Sequence, residues 1–294
     1  MHQINKLGLG TVQWGLSYGI ANESGAPRNE TIKSILYESQ QIGIKVLDTA
    51  AQYGDAEKVL GMNTLEVFDV VTKTPKLSVS RITETEIYQL QKTFQDSLQK
   101  LSCEKIYGLL VHHVEDILVP GGNKIITIMK QLKAKEKVKK IGVSVYDSKQ
   151  VDAVMEIFKP DLIQLPLSVL DQRMLSSGHL EMLKKEGVEI HVRSVFLQGL
   201  LLMPLDKIPT YFKPIKPLLI RWHKATQEQG LTSTQAALSF VKSIPYVDKL
   251  IVGVDSMAQF RACVDDFSIE TIFDAQGLAC NDPSFLNPSL WELT

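Results

Sequence analysis

Eight short apolar runs, each followed by a longer stretch of mixed character, most constrain what this 294-residue chain folds into. They are "KLGLG", "IKVLDTA", "FDVVTK", "KIYGLLVHH", "KKIGVSV", "LIQLP", "VEIHVRS" and "KLIVGV". Helical periodicity occupies 30–43, 84–101, 123–136, 149–158, 179–187 and 233–243 between them. In 84–101, Ile87, Leu90, Phe94, Leu98 and Leu101 return every three or four residues, so one stripe faces a core. Gly43, Gly187 and Gly230 stand where helices end, and Thr232 or Ser233 suits a helix start. No linker rich in Ser, Gly or Pro divides the chain. The expectation is a (β/α)8 TIM barrel, a single domain over 1–294 with a variable tail at about 268–294. An open doubly wound sheet is the alternative, but "GLGTVQWG" lacks the GxGxxG spacing of its first turn.

A net charge of -1 argues against a broad nucleic-acid surface, which needs a basic patch. The one basic run, "KAKEKVKK" at 133–140, reads as a solvated helix end leading into a strand. Cys103, Cys263 and Cys280 have neither metal-like spacing nor an even framework, which suits a reducing, cytoplasmic setting. "MHQINKLGLG" has no signal-peptide order, and "VFLQGLLLMPL" is too short to cross a membrane. No membrane partner is expected.

A barrel of this kind carries its active site at the carboxyl ends of the strands. The second run ends in Asp48, with Tyr53 just beyond; the third ends in Lys73 and the fourth in His112. The next three carry Ser144, Gln164 and Arg193. Singly, each has a plain structural use: Asp48 as a turn cap, Lys73 at the surface, Tyr53 half-buried in packing, Gln164 satisfying backbone. In order on consecutive strands they suggest catalysis. A tyrosine titrates near about 10, and an ammonium about 4 Å away would contribute about 4 kcal/mol at an effective dielectric near 20, roughly three pKa units. Asp48 would keep Lys73 charged, and a histidine beside the phenol would donate to a carbonyl oxygen. The adjacent His112 and His113 are not expected to share a metal, because successive strand residues face opposite ways. For the same reason only one of them faces the mouth.

The blocks "GLGTVQWG", "LDTAAQYG", "AEKVLG", "VTKT", "YGLLVHH", "IGVSVY", "IQLPLSVLD" and "IVGVDS" together resemble the aldo-keto reductase superfamily, from about Lys6 to Phe267. That resemblance implies a catalytic tetrad of Asp48, Tyr53, Lys73 and His112, with Tyr53 the general acid. It implies NADPH as cofactor, NADH being possible, and a small-molecule aldehyde or ketone as substrate. Thr11 and Val12, then Ser144 and Gln164 at the nicotinamide carboxamide, are the implied cofactor contacts. Arg193 falls where the family often stacks an aromatic ring on the nicotinamide; a guanidinium also stacks, with a charge that opposes an oxidised ring. Ser194, Phe196 and Gly199 fall in the diphosphate segment. Gly253, Asp255, Ser256 and Gln259 fall in the segment that holds the adenosine 2'-phosphate.

Several positions depart from the family pattern. Val145 replaces an asparagine, and Ala262-Cys263 replaces a frequent Glu-Asn pair. Gly253 and Gln259 stand where cations commonly grip the 2'-phosphate, Asp255 adds a negative charge, and Arg261 is the nearest remaining cation. Weak discrimination between NADPH and NADH is therefore expected. The opening "GTVQWGLSYGIAN" resembles a bacterial subgroup linked to sugar and cell-surface polysaccharide metabolism, which implies a sugar-like carbonyl. A regulatory or sensor protein on the same fold is the alternative, and a phosphosugar isomerase or lyase a third that leaves "DTAAQYG" unexplained. The loops at 114–123 and 201–214 and the tail at 281–294 would select the substrate. Trp14, Tyr18, Phe212 and Trp291 suit either aromatic walls or packing.

Overall fold

A computed structural model describes residues 4–20, 22 and 25–293. Residues 1–3, 21, 23, 24 and 294, which belong to the expected domain span and opening segment, lie outside the described residues. The eight apolar runs form strands β1 (Leu7–Gly10), β2 (Val46–Asp48), β3 (Asp69–Lys73), β4 (Ile106–Val111), β5 (Val138–Ser144), β6 (Leu162–Pro166), β7 (Glu189–Arg193) and β8 (Lys249–Gly253). Each pairs in parallel with the next, and β1 pairs with β8, which closes the barrel. Inside it, Val46, Val71, Leu110, Leu162 and Ile251 meet as one apolar cluster. The larger cluster lies between strands and surrounding helices.

The helices form where periodicity and caps agree. Glu84–Lys100 buries Ile87, Leu90, Phe94 and Leu98, and Thr83 with Glu86 closes a capping box at its start. Ser233–Ser243 begins on a second box, Thr232 with Gln235. Gly43, Gly187 and Gly230 take positive φ at the ends of their helices. The basic run is the expected helix end: Asn123–Ala134 stops there, and only Val138 of the run is buried.

The longest of the helices outside the expected helical spans falls where a loop was expected. Lys216–Glu228 follows the "LLMPLDKIPTYFKP" segment and buries Leu218, Leu219, Trp222 and Thr226. Its prolines read as loop punctuation, yet Pro217 sits in the first turn, where a missing N–H costs nothing. The tail folds back on the barrel. Cys280 N–H donates to the Leu170 carbonyl at 2.8 Å, and Trp291 packs edge-on against Phe212 at 4.8 Å. No helix among the described residues is long and apolar enough to cross a membrane.

Candidate active site

Barrel closure brings the carboxyl ends of β2 and β3 side by side. Asp48 and Lys73 are 5% and 2% exposed, and Lys73 Nζ donates to both Asp48 carboxylate oxygens, at 2.9 and 2.8 Å. Its third proton goes to the Thr49 carbonyl at 2.8 Å, so no donor of the ammonium remains. Gln164 Nε2 donates to Asp48 Oδ1 at 2.7 Å. A carboxylate only accepts, which assigns the amide's orientation. It leaves Gln164 Oε1 buried without a partner among the described residues.

Tyr53 is set by a close approach of two backbones. The short helix Val12–Gly15 is anchored by Trp14, whose Nε1 donates to the Val254 carbonyl at 2.8 Å. A Cβ at Gly15 would fall 1.9 Å from the Tyr53 carbonyl oxygen, and one at Gly54 2.3 Å from the Gly15 carbonyl oxygen. Gly54 also has φ +56°. Any side chain at either position would move the phenol. The Tyr53 ring lies 5.0 Å from Lys73 Nζ and meets His112 edge-on at 5.9 Å.

The expected tuning of Tyr53 by Lys73 requires correction. Burial, then the Asp48 carboxylate, holds the phenol well above its ordinary value, and Arg193 is the cation that pulls it down. Lys73 is itself pushed down by burial and restored in part by Asp48. A chelated ion pair presents a dipole to its surroundings rather than a unit charge, which is why the pairwise Coulomb figure overstates the effect.

The alternation argument for the two histidines also fails, because β4 ends at Val111 before either is reached. Their rings lie 4.8 Å apart, tilted by 37°, rather than on opposite faces. His112 lines the cavity and His113 does not. Burial and then the charge of Lys73 push the His112 imidazole down to about 2, so it is neutral at ordinary pH. Its buried Nδ1 has no partner among the described residues. His112→Ala should therefore lower kcat/KM about a hundredfold, the cost of removing one donor to a polarised carbonyl. His113→Ala should lower it less than about threefold; the reverse order in steady-state kinetics would reject the choice. Among the described residues no three His, Cys, Asp or Glu side chains group as a metal site.

A cavity of about 520 Å³ opens over these groups and continues along the ends of β7 and β8. Thr11, Val12, Asp48, Tyr53, Lys73, His112, Ser144, Gln164, Arg193, Ser194, Phe196, Gly199, Gly253, Asp255 and Gln259 line it. Ser256 does not; its hydroxyl instead accepts from Gln259 N–H at 3.2 Å and caps the helix Met257–Ser268. Ser144 and Gln164 are register partners on β5 and β6. Their polar ends and the orphaned Gln164 oxygen suit a carboxamide. Beyond β7, Ser194, Leu197, Gln198 and Gly199 all have positive φ, and the tight turns they form, with Leu197 N–H donating to the Ser194 carbonyl at 2.9 Å and Gly199 N–H to that of Phe196 at 3.0 Å, place Ser194, Phe196, Gln198 and Gly199 along the cleft. These residues fit a nicotinamide dinucleotide.

The 2'-phosphate end holds no free cation from the expected positions. Gln259 Oε1 accepts from Asp255 N–H at 3.1 Å. A Cβ at Gly253 would come 2.1 Å from Gln13 Oε1, so Gln13 fills the space above it. Arg261 points away and forms a double hydrogen bond to Glu38 on the helix Asn29–Ile42.

The aromatic candidates separate. Trp14 and Phe212 are buried in packing and Trp291 lies against Phe212, whereas Tyr18 lines the cavity and accepts from Gln198 Nε2 at 3.0 Å. Tyr146 also lines it and was missed; Gln198, within the expected diphosphate segment, and Pro288 and Ser289, within the tail expected to select the substrate, line it as well. Tyr146 directly follows the "GVSV" strand, so the place of "VY" after Ser144 was the available signal. Nothing local marks the tail residues.

Fold and site together define a closed (β/α)8 barrel with a buried carboxylate–lysine pair, a phenol and an imidazole at the head of a long cleft. The sequence pattern of the Aldo/keto reductase family matches residues 6–277. The chain belongs to that family. It is 26% identical over 218 residues to the NADH-specific methylglyoxal reductase of Escherichia coli (strain K12), covering 67% of this chain and 65% of that protein. An aldo-keto reductase from Bacillus halodurans, in its holo form, has a TM-score of 0.71 at 18% identity, covering 93% of this chain and 89% of that one. A glycerol dehydrogenase from Gluconobacter oxydans has a TM-score of 0.65 at 21% identity, covering 90% and 87%. At those identities the two structures speak for the fold alone.

Proposed function

We propose that this protein reduces the aldehyde or ketone group of a small molecule with NAD(P)H, Tyr53 acting as general acid. The observation that carries the reading is the meeting of Tyr53, His112 and the Lys73–Asp48 pair at one mouth beside the unpartnered Gln164 acceptor. Ser144 and Gln164 would hold the carboxamide of the dinucleotide and 194–199 would line its diphosphate, and the group would supply the hydride when bound. The neutral imidazole of His112 donates to the carbonyl oxygen and polarises it. Tyr53 keeps its proton at ordinary pH, because burial and Asp48 raise it. It can still deliver that proton, since an alkoxide forming at the carbonyl oxygen is a stronger base than a phenolate. Lys73 and Asp48 hold the floor of the site rigid. The name of the Escherichia coli relative suggests a small 2-oxoaldehyde and NADH; a sugar-like carbonyl is the other class to be tried. The three free cysteines suit a cytoplasmic location.

Turnover of a panel of small aldehydes, 2-oxoaldehydes and aldoses with each cofactor tests the proposal. No oxidation of NADH or NADPH with any of them would reject it. The cofactor end gives a separate expectation. With Gln259 bonded to Asp255 and Arg261 to Glu38, dissociation constants for NADPH and NADH should differ by less than about a hundredfold, about 2.7 kcal/mol. Gln259→Arg and Asp255→Ala should each shift the balance toward NADPH. Titration by fluorescence quenching reads this, and a wild-type preference above about a thousandfold for NADPH would contradict it.

A further inference from the structure

Arg193 ends β7, half-buried in the cavity wall. Its guanidinium carbon lies 4.3 Å from the centroid of the Tyr146 ring. Its hydrogen bonds run to the Val145 carbonyl at 3.2 Å and to Ser194 Oγ at 3.4 Å. Both acceptors are neutral, whereas Arg173 and Arg261 are paired with Asp171 and Glu38. The other charges at the mouth cancel or are absent. Lys73 is chelated by Asp48, and His112 is held neutral. Tyr18 and Tyr53 are both pushed up by burial and stay uncharged. Lys76 is exposed, where water and salt screen it. Asp255 lies beyond the end of β8, in the part of the cleft assigned to the adenosine. The Arg193 guanidinium is therefore the cation at the head of the cavity with no carboxylate paired to it, and its charge bears on Tyr53, Tyr18 and, after that of Lys73, His112.

The same corner holds the unpartnered acceptor. Gln164 pairs with His191 and Pro166 with Arg193 across β6 and β7, so Arg193 stands one side-chain layer above Gln164 on the neighbouring strand. A buried acceptor left unmade is costly, and a carboxamide N–H would satisfy it. A nicotinamide whose carboxamide met that acceptor would lie beside Arg193. The oxidised ring carries a positive charge and the reduced ring none, while diphosphate, riboses and adenine are the same in both. A fixed cation distinguishes the two states only through the ring. A guanidinium on an aromatic face is weakly hydrated, so little water stands between its charge and the ring.

We infer that Arg193 makes this protein hold the reduced dinucleotide in preference to the oxidised one, so that spent cofactor is expelled and the site is refilled with the reduced form. This rests on the reductase reading above. In family members with an uncharged ring at this place, nothing would impose the same bias. Release of the oxidised cofactor is a common limit on turnover, and Arg193 works on that step.

The test is a set of dissociation constants for NADH and NAD+, the first by fluorescence and the second by calorimetry, on the wild type, Arg193→Leu and Arg193→Lys. The wild type should bind NADH more than about tenfold tighter than NAD+. Arg193→Leu should reduce that ratio about tenfold, equivalent to about 1.4 kcal/mol or about 30 mV in the potential of the bound couple. The gain should come from tighter NAD+ binding. Arg193→Lys, which keeps the charge, should retain most of the ratio and shows that the position tolerates substitution. Equal loss of affinity for both forms in Arg193→Leu would overturn the inference, since the guanidinium would then serve the shared diphosphate. An unchanged ratio would overturn it as well. Failure of the wild type to bind either dinucleotide would reject the reductase reading itself, a different result from a wild type that binds both forms equally.

Discussion

Tyr53→Phe is expected to lower kcat by roughly two to four orders of magnitude while leaving NADH binding within about twofold of the wild type. The substitution removes only the hydroxyl. The ring that meets His112 at 5.9 Å and lies under Lys73 Nζ at 5.0 Å remains, so the cavity keeps its shape. Among the described residues none is hydrogen-bonded to the Tyr53 hydroxyl, and the backbone of Tyr53 packs closely against Gly15. A variant that turns over within about twofold of the wild type would remove Tyr53 from the mechanism. A variant that loses cofactor affinity in proportion to rate would show that the hydroxyl binds rather than donates. Gly15→Ala separates geometry from chemistry. Its new methyl would meet the Tyr53 carbonyl oxygen at 1.9 Å, and it should impair turnover although the phenol is intact.

Lys73→Met should destabilise the fold by about 3–5 kcal/mol, because it strands the Asp48 carboxylate in a buried site with only Gln164 Nε2 left to it. Unfolding in urea reads the loss as a lower midpoint at unchanged slope. The double variant Asp48→Leu with Lys73→Met should be more stable than Lys73→Met alone. Removing both charges takes away the desolvation cost together with the attraction, and buried pairs often give way to apolar residues at little net cost. Both variants should be inactive. If the double variant is no more stable than the single one, the pair holds the barrel through Thr49 and Gln164 rather than through charge compensation, and the electrostatic account of the floor is wrong. These measurements also bear on Tyr53, since removing Asp48 takes away one of the groups that raise the phenol.

The barrel itself was legible in the sequence because its causes are local. A strand needs an apolar run and a helix a stripe of period 3.6, and both are written in windows shorter than twenty residues. Parallel closure then follows with few alternatives, and with it the expectation that Asp48, Lys73, His112, Ser144, Gln164 and Arg193 gather at one end. The structure brings them to a single cavity. The glycines of "GTVQWG" and "DTAAQYG" were visible too, though not the reason for them, which is that the two segments touch through their backbones. The helix Lys216–Glu228 escaped because Pro217 and the prolines just before it resemble loop signals and its stripe of Leu218, Leu219, Trp222 and Thr226 is short.

What the sequence could not determine is where long side chains end and which partner they meet. Lys73 has three donors, and only the packed distances assign all of them to Asp48 and Thr49 instead of Tyr53. His112 and His113 are equivalent by chemistry; the end of β4 at Val111 and the turn after it decide which one lines the cavity. Arg261 lies two residues from the 2'-phosphate position in sequence, yet the helical turn sends it to Glu38, 223 residues away. Ser256 reads as a ligand and serves as a cap. The stacking of Arg193 on Tyr146 joins two strands that are not neighbours in the chain. In each case the sequence supplies a charge or a donor, and the tertiary fold decides whether it is spent inside the protein or left facing the cleft, because that depends on distances of a few ångströms between elements far apart in the chain.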